Sequence, residues 1–468
     1  MSSVPPPPPP PGDGGYVIAF STFLGGGDIE EIREPRLLPD GRLLIGARSR
    51  SANMPVTPGA FQPNYGGGIG DTWLGILRED GSALDAATYF GGSGMERPAY
   101  GLEVLPSGDI VFTSGTTSPN IPTTPESFVP DRVTPAPAPG DGYVCRISGD
   151  LTTLRWCTYT GGGWPRGGLA VDADERLWVV GRALSDGFFT TPDAIQSTPR
   201  GEDDAFILLL SADGRQAVYS TRLGGGGSDV GEVVTSVLVD DAGTVWATGN
   251  SRSIDFPTAG SVAQPTSTGV ADAFALSLDA SRKLRFTTLI GGDRDDFTEH
   301  RTFLLPDGSP LIAGGTWSAL PNIPGSGFRR SYLAVVTPDG SGISYMAPPA
   351  ADLMEHLLGP EVDAAGRVYL FGRTDSPDLP VTDNAIQSTY AGDGDGFLMV
   401  LAPDFRTIEY ATYLGGSGFE LIRGAALTSD GRIFLVGRTA SDDFPVVSAL
   451  QPRRGGSDDG FVIRLDPR

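Results

Sequence analysis

One phrase recurs along this chain at a near-constant spacing, and no other feature limits its fold so tightly. It is a short strand closed by two glycines: Ser21-Thr22-Phe23-Leu24-Gly25-Gly26, Ala87-Thr88-Tyr89-Phe90-Gly91-Gly92, Cys157-Thr158-Tyr159-Thr160-Gly161-Gly162, Ser220-Thr221-Arg222-Leu223-Gly224-Gly225, Thr287-Thr288-Leu289-Ile290-Gly291-Gly292 and Ala411-Thr412-Tyr413-Leu414-Gly415-Gly416. A decayed copy, Ser344-Tyr345-Met346-Ala347-Pro348-Pro349, fills the sixth place. Gly25 and Gly415 stand 390 residues apart over six steps, a mean period of 65. That length suits one four-stranded sheet with generous loops, a unit too small to hide its own apolar faces, so the units must lean on one another.

The remainder of each unit supplies the other strands. An apolar strand, a tight turn and a second apolar strand ending in Gly appear as Leu37-Leu38-Pro39-Asp40-Gly41-Arg42-Leu43-Leu44-Ile45-Gly46 and again from Ala426 to Gly437. Pro-Asp-Gly and Ser-Asp-Gly provide the restricted φ and the positive-φ position of an antiparallel hairpin. A Pro-anchored loop follows, as in Ser253-Ile254-Asp255-Phe256-Pro257 and Ser441-Asp442-Asp443-Phe444-Pro445. A further strand then opens on Asp and an aromatic residue: Asp141-Gly142-Tyr143, Asp204-Ala205-Phe206, Asp272-Ala273-Phe274, Asp395-Gly396-Phe397, Asp459-Gly460-Phe461, with Asp71-Thr72-Trp73 as a variant and Arg330-Ser331-Tyr332 as the exception. With 66 Gly and 40 Pro in 468 residues, long helices are excluded. Four strands repeated seven times predict an all-β, seven-bladed β-propeller of four-stranded antiparallel blades.

Phase predicts how the ring closes. Residues 1–15 form a Pro-rich N-terminal tail and 16–468 a single propeller domain; the strand from Tyr16 is a hairpin partner without its own predecessor, and the last strand, from Asp459, lacks a successor. The N-terminal strand is therefore expected to complete the last blade.

These phrases resemble the bacterial SBBP beta-propeller repeat family, whose units carry a Tyr-Ser-Thr-x-Leu-Gly-Gly strand, a Gly-x-Thr-x-Ser-x-Asp-Phe-Pro segment and an Asp-Ala-Phe strand. The resemblance covers about residues 16–466; blades three, four and seven match best, blades five and six least. It implies the propeller fold and an exported or cell-surface setting, and it implies no established reaction.

Charge narrows the partners. Lys plus Arg is 34 and Asp plus Glu 57, a net −23. Nucleic acid and anionic membrane are excluded by the lack of a basic stripe, and no apolar run approaches the ~18 residues of a membrane span. No charged n-region and apolar h-region open the sequence, which leaves a removed leader, unconventional export or a cytoplasmic protein; the extracellular or cell-envelope location is what the resemblance implies. Pro5 to Pro11 predicts a stiff polyproline II spacer, or else a contact with an assembly partner.

Two sets of residues carry candidate chemistry. Glu30, Glu96, Asp229, Asp296 and Glu420 stand four residues past the second Gly, with Glu355 in the matching place of blade six and Arg166 instead in blade three. Ringed at a channel mouth they would attract a hard cation such as Ca²⁺; alternatively each caps backbone N–H groups at its turn. Cys145 and Cys157 flank a hairpin turn centred on Leu151, so they form a disulfide if the register sets them opposite, and remain small apolar residues if it slips by one. The two histidines, His300 and His356, fit no zinc spacing or triad, and no Gly-rich phosphate loop opens a helix. Trp164, Phe188, Phe189 and Trp317 offer either a sugar- or partner-binding surface or cover for the blade joints, and the Val133–Gly140 insertion breaks the symmetry.

The function expected from this pattern is a non-enzymatic recognition or scaffold propeller that binds a protein or glycan through loops on one face. The alternatives are a calcium-dependent hydrolase or lyase with acids at the channel mouth, and a structural subunit of a larger assembly.

Overall fold

The computed structural model describes residues 15–133, 140–184, 186–226, 231–323, 328–354 and 356–468. These form 28 strands in seven four-stranded antiparallel sheets and no helix, the seven-bladed propeller that the repeats predict. In each blade the turn-linked hairpin supplies the inner and second strands; in every blade but the fifth the Asp-aromatic phrase opens the third strand and the Gly-Gly phrase ends the outer one, while in blade 5 Arg330 opens the third and the decayed phrase ends the outer. The inner strands are Glu30–Leu37, Gly101–Val104, Gly163–Val171, Val233–Val239, Asp296–Leu304, His356–Val362 and Glu420–Leu427, for blades 1 to 7.

Closure follows the expected route. Blade 7 is built from Glu420–Leu427, Ile433–Thr439 and Asp459–Pro467, and its outer strand is the N-terminal Tyr16–Leu24, paired from Tyr16 opposite Pro467 to Leu24 opposite Gly460. The apolar residues respond to this geometry by packing between sheets. Seven buried clusters fill the structure, one in each joint between neighbouring blades, including the joint of blade 7 with blade 1, where Phe20, Phe434 and Val462 meet Leu43, Ile45 and Trp73. Each blade thus depends on two neighbours, which is why no blade is stable alone.

Cys145 and Cys157 stand directly opposite each other in the third and outer strands of blade 2, Cα atoms 4.0 Å apart, and are joined in a disulfide. Asp229, Glu355, the Pro5–Pro11 segment and residues 134–139 of the blade 2 insertion lie outside the described residues.

Candidate functional site

The joints explain the Gly-Gly phrase. Glu30, Asp296 and Glu420 open inner strands, Glu96 lies five residues ahead of the inner strand of blade 2, and all four are fully buried. Each accepts the N–H of the second glycine: Gly26 to Glu30 at 2.8 Å, Gly92 to Glu96 at 2.9 Å, Gly292 to Asp296 at 2.7 Å and Gly416 to Glu420 at 2.7 Å. Ser and Thr hydroxyls donate to the same carboxylates, as Thr116 and Ser118 do to Glu96. In blade 4 Glu232 takes this part, accepting from Ser251 at 3.0 Å. The sequence has four consecutive glycines from Gly224 to Gly227, and counting four residues past the second Gly stops at Asp229, three short of Glu232.

The Asp that heads a third strand comes to the same place from the preceding blade. A Cβ built on Gly91 would lie 2.6 Å from both Asp71 Oδ1 and Glu96 Oε2, and one on Gly415 would meet Asp395 and Glu420 alike. The first glycine is therefore the point where two carboxyl groups converge. A glutamine ties the first glycine to the Asp: Gln387 Oε1 accepts the Gly415 N–H at 2.9 Å while its Nε2 donates to Asp395 at 2.8 Å, and Gln451 serves Gly25 and Asp459 likewise. Burial raises the pKa of every acid in these pairs, and that of Asp71 to about 7, with the neighbouring Glu96 adding to the rise.

The acids thus sit in separate joints, two carboxyls in each, and do not converge on the axial channel. Among the described residues no group of three or more His, Cys, Asp or Glu is placed to hold a metal ion, and two carboxyls per joint fall short of the six to eight oxygens that calcium takes. A pH dependence follows. Because the folded-state pKa of Asp71 exceeds its unfolded value, the folded protein holds a proton that the unfolded chain releases, and this stabilisation is complete below pH ~4 and lost as pH rises through about 7. Thermal midpoints are expected to fall between pH 5 and pH 8 in the parent and to fall less in Asp71→Asn; identical slopes would contradict the shared-proton joint.

The axial channel is about 370 Å³ and is lined from all seven inner strands. Its charged groups pair with each other. Arg301 bridges Glu34 and Glu361, the latter at 3.0 Å, and Arg36 bridges Glu34 at 3.3 Å and Glu103 at 2.8 Å. Burial holds the Glu361 carboxyl up at about 7 in spite of Arg301 and Arg36. This closed network fills the channel with satisfied ion pairs.

The face on which the inner strands begin is different in character. The penultimate residue of the second strand is arginine in four blades: Arg48, Arg182, Arg373 and Arg438. Arginines alternate with aromatic rings there, Arg33 over Tyr100 at 4.8 Å, Arg97 over Trp164 at 5.6 Å, Arg329 over Phe297 at 4.7 Å, and Arg373 and Arg438 over Phe419 at 4.6 and 4.8 Å. One carboxylate serves several of them: Glu31 pairs with Arg423 at 3.1 Å and Arg33 at 3.8 Å. Burial pushes the Glu31 carboxyl up, yet Arg423, Arg33, Arg438 and Arg48 together hold it below the usual range. Burial beside Arg33 and Arg438 lowers Arg423 to about 10, and desolvation together with Arg329, Arg373 and Arg423 lowers His356. Arg373 and Arg438 also pair with carboxylates of their own, Asp375 and, at 3.5 Å, Asp458, on a chain whose net charge is −23.

Among the aromatic candidates, Trp164 is a joint residue, wedged against Gly115 and Gly140, and Phe188 packs on Phe206. Phe189 is exposed, its ring 5.6 Å from that of Phe128. Trp317 is half-buried at the arginine-rich face, its ring 5.6 Å from that of Phe297.

No protein-family model matches the chain, and no curated protein matches it. Solved structures resemble it only remotely. A protein of unknown function from Dyadobacter fermentans is 13% identical, covers 97% of this chain and 100% of its own, with a TM-score of 0.44. A europium-containing methanol dehydrogenase is 10% identical over 98% of this chain and 94% of its own, TM-score 0.44. The Dos1 propeller is 9% identical over 96% and 95%, TM-score 0.44. Likenesses at these levels carry no information about activity. No helix among the described residues is long and apolar enough to cross a membrane.

Proposed function

We propose that this chain is a recognition propeller of the SBBP type, acting as a non-enzymatic binding or scaffold module that takes a protein or glycan on the face where the inner strands begin. The arginine–aromatic mouth carries this reading. Guanidinium groups stacked on rings, with Arg33 and Arg423 sharing the one carboxylate of Glu31, are poised for a ligand with local negative charge, and Arg with aromatic residues is the composition enriched at binding hot spots. The opposing long-range field of a −23 chain disfavours a dense polyanion and suits a ligand whose charge is sparse. The Cys145–Cys157 bond suits an oxidising, exported setting.

The test is an array of neutral and acidic glycans, with a panel of purified cell-surface proteins, probed with the parent and with Arg423→Gln/Arg438→Gln. Binding is expected in the parent, weakened about tenfold or more in the double variant and by raised salt. A parent that binds nothing above background, or binding indifferent to both changes, overturns the reading. Calcium titrated into chelator-treated protein is expected to give no heat, which separates this proposal from a calcium-dependent enzyme.

A further inference from the structure

A second concavity opens on the same face, away from the axis, between blades 3, 4 and 5. It measures about 370 Å³, within the range of small-ligand pockets, and its wall includes Arg166, Arg182, Arg252, Asp295, Phe297 and Trp317. It lies where the repeat is broken. The inner strand of blade 3 shifts register between Pro165 and Leu169 around Arg166, and Asn250 replaces the arginine that other blades carry at this point of the second strand.

The floor is rigid and its polar groups are spent. Asn250 donates to the Thr298 carbonyl at 3.2 Å and accepts the Thr298 N–H at 2.7 Å, and the Thr235 and Thr298 hydroxyls are 2.7 Å apart. The walls are not. Arg166 and Arg252 are exposed and form no ion pair among the described residues, whereas Arg182 reaches Asp203 at 3.4 Å and keeps a buried Nε–H without an acceptor. The Asp295 Oδ1 is buried with no hydrogen-bond donor, so the open polar groups of the wall are the two exposed arginines. Beside these charges, Trp317 and Phe297 supply an apolar step.

Resting on the recognition reading above, we infer that this crevice is a subsite for a saccharide unit that carries a carboxylate. The guanidinium groups match a carboxylate in bidentate geometry, and the aromatic step takes the C–H face of a pyranose. A peptide C-terminus would use the arginines and leave the aromatic step idle. A polyanion would meet the repulsion of the whole chain.

Calorimetry with a tetrasaccharide of alternating glucuronate and N-acetylglucosamine, beside a neutral tetrasaccharide of N-acetylglucosamine, tests this on the full chain. The acidic probe is expected to bind at least about tenfold more tightly than the neutral one, and to lose at least about tenfold in Arg166→Gln/Arg252→Gln and in Trp317→Ala. Both arginines are exposed, so unchanged melting of their double variant serves as the folding control. Equal binding of the two probes, or acidic-probe binding that survives the crevice variants and disappears in Arg423→Gln/Arg438→Gln, overturns the crevice while leaving the recognition face standing. Preference for a free peptide C-terminus over the acidic probe overturns it also. Absence of binding to either probe refutes the subsite, and the wider array then decides the recognition reading separately.

Discussion

A chain that begins at Gly25 is expected to lose its single cooperative unfolding transition. The removed strand, Tyr16–Leu24, contributes Phe23 to the joint of blades 6 and 7, against Phe444 and Phe461, and Phe20 and Leu24 to the joint of blades 7 and 1. Tyr16, Phe20, Phe23 and Leu24 are each 1% exposed or less. At roughly 1.5–3 kcal/mol for each buried side chain, their loss removes ~6–12 kcal/mol, similar to the whole stability of an ordinary domain. The damage does not stop there. Asp459–Pro467 becomes an open edge, and two of the seven clusters lose a wall together, so a ring without its clasp has two frayed ends. Circular dichroism should show a broad, early melt, and size exclusion an aggregated fraction; excess peptide spanning residues 15–24 should restore the sharp transition. A truncated chain that melts within a few degrees of the parent would show that the last blade stands on three strands.

Most of this architecture was legible because a propeller writes its geometry into a period. Turn chemistry at Pro39-Asp40-Gly41 and Ser429-Asp430-Gly431 sets the hairpins, and the offset between the first and last strands sets the closure. The joint acids were legible as positions, but their partners were not. Asp71 and Glu96 are 25 residues apart and belong to different blades, so the pairing appears only when blades stack. Gln62, Gln196, Gln264, Gln387 and Gln451, which tie the glycines down, recur at the same place in five units, and that recurrence was the available signal. The arginine mouth had a signal as well, the Gly-Arg pairs Gly181-Arg182, Gly372-Arg373 and Gly437-Arg438, which net charge alone concealed. The crevice was legible only in pieces: Arg166, standing where other blades carry an acid, and Trp317 were visible singly, while their convergence with Arg252 across three blades appears only once the blades stack.

Within one joint, the two acids are expected to respond to substitution with opposite signs. Glu96 accepts three donors at a fully buried site: the Gly92 N–H at 2.9 Å, the Thr116 hydroxyl at 2.6 Å and the Ser118 hydroxyl at 2.5 Å. Alanine there strands all three, and each unsatisfied donor costs about 1–3 kcal/mol, so Glu96→Ala should lose ~3–5 kcal/mol even after relief of its repulsion with Asp71. Asp71 is the reverse case. Its Oδ2 accepts the Gly66 N–H at 2.6 Å, but its Oδ1 has no donor and faces Glu96. Asparagine keeps the first bond and turns an N–H toward Glu96, removing a carboxyl whose pKa is raised to about 7 by burial and, after it, by the Glu96 charge. Urea unfolding at pH 8 should therefore place Glu96→Ala well below the parent and Asp71→Asn above it, with the second difference vanishing near pH 5, where the aspartate is already protonated. Destabilisation by both substitutions at pH 8 would mean that both carboxylates are held charged, as a cation bound in the joint would require, and would return calcium to the blade interfaces.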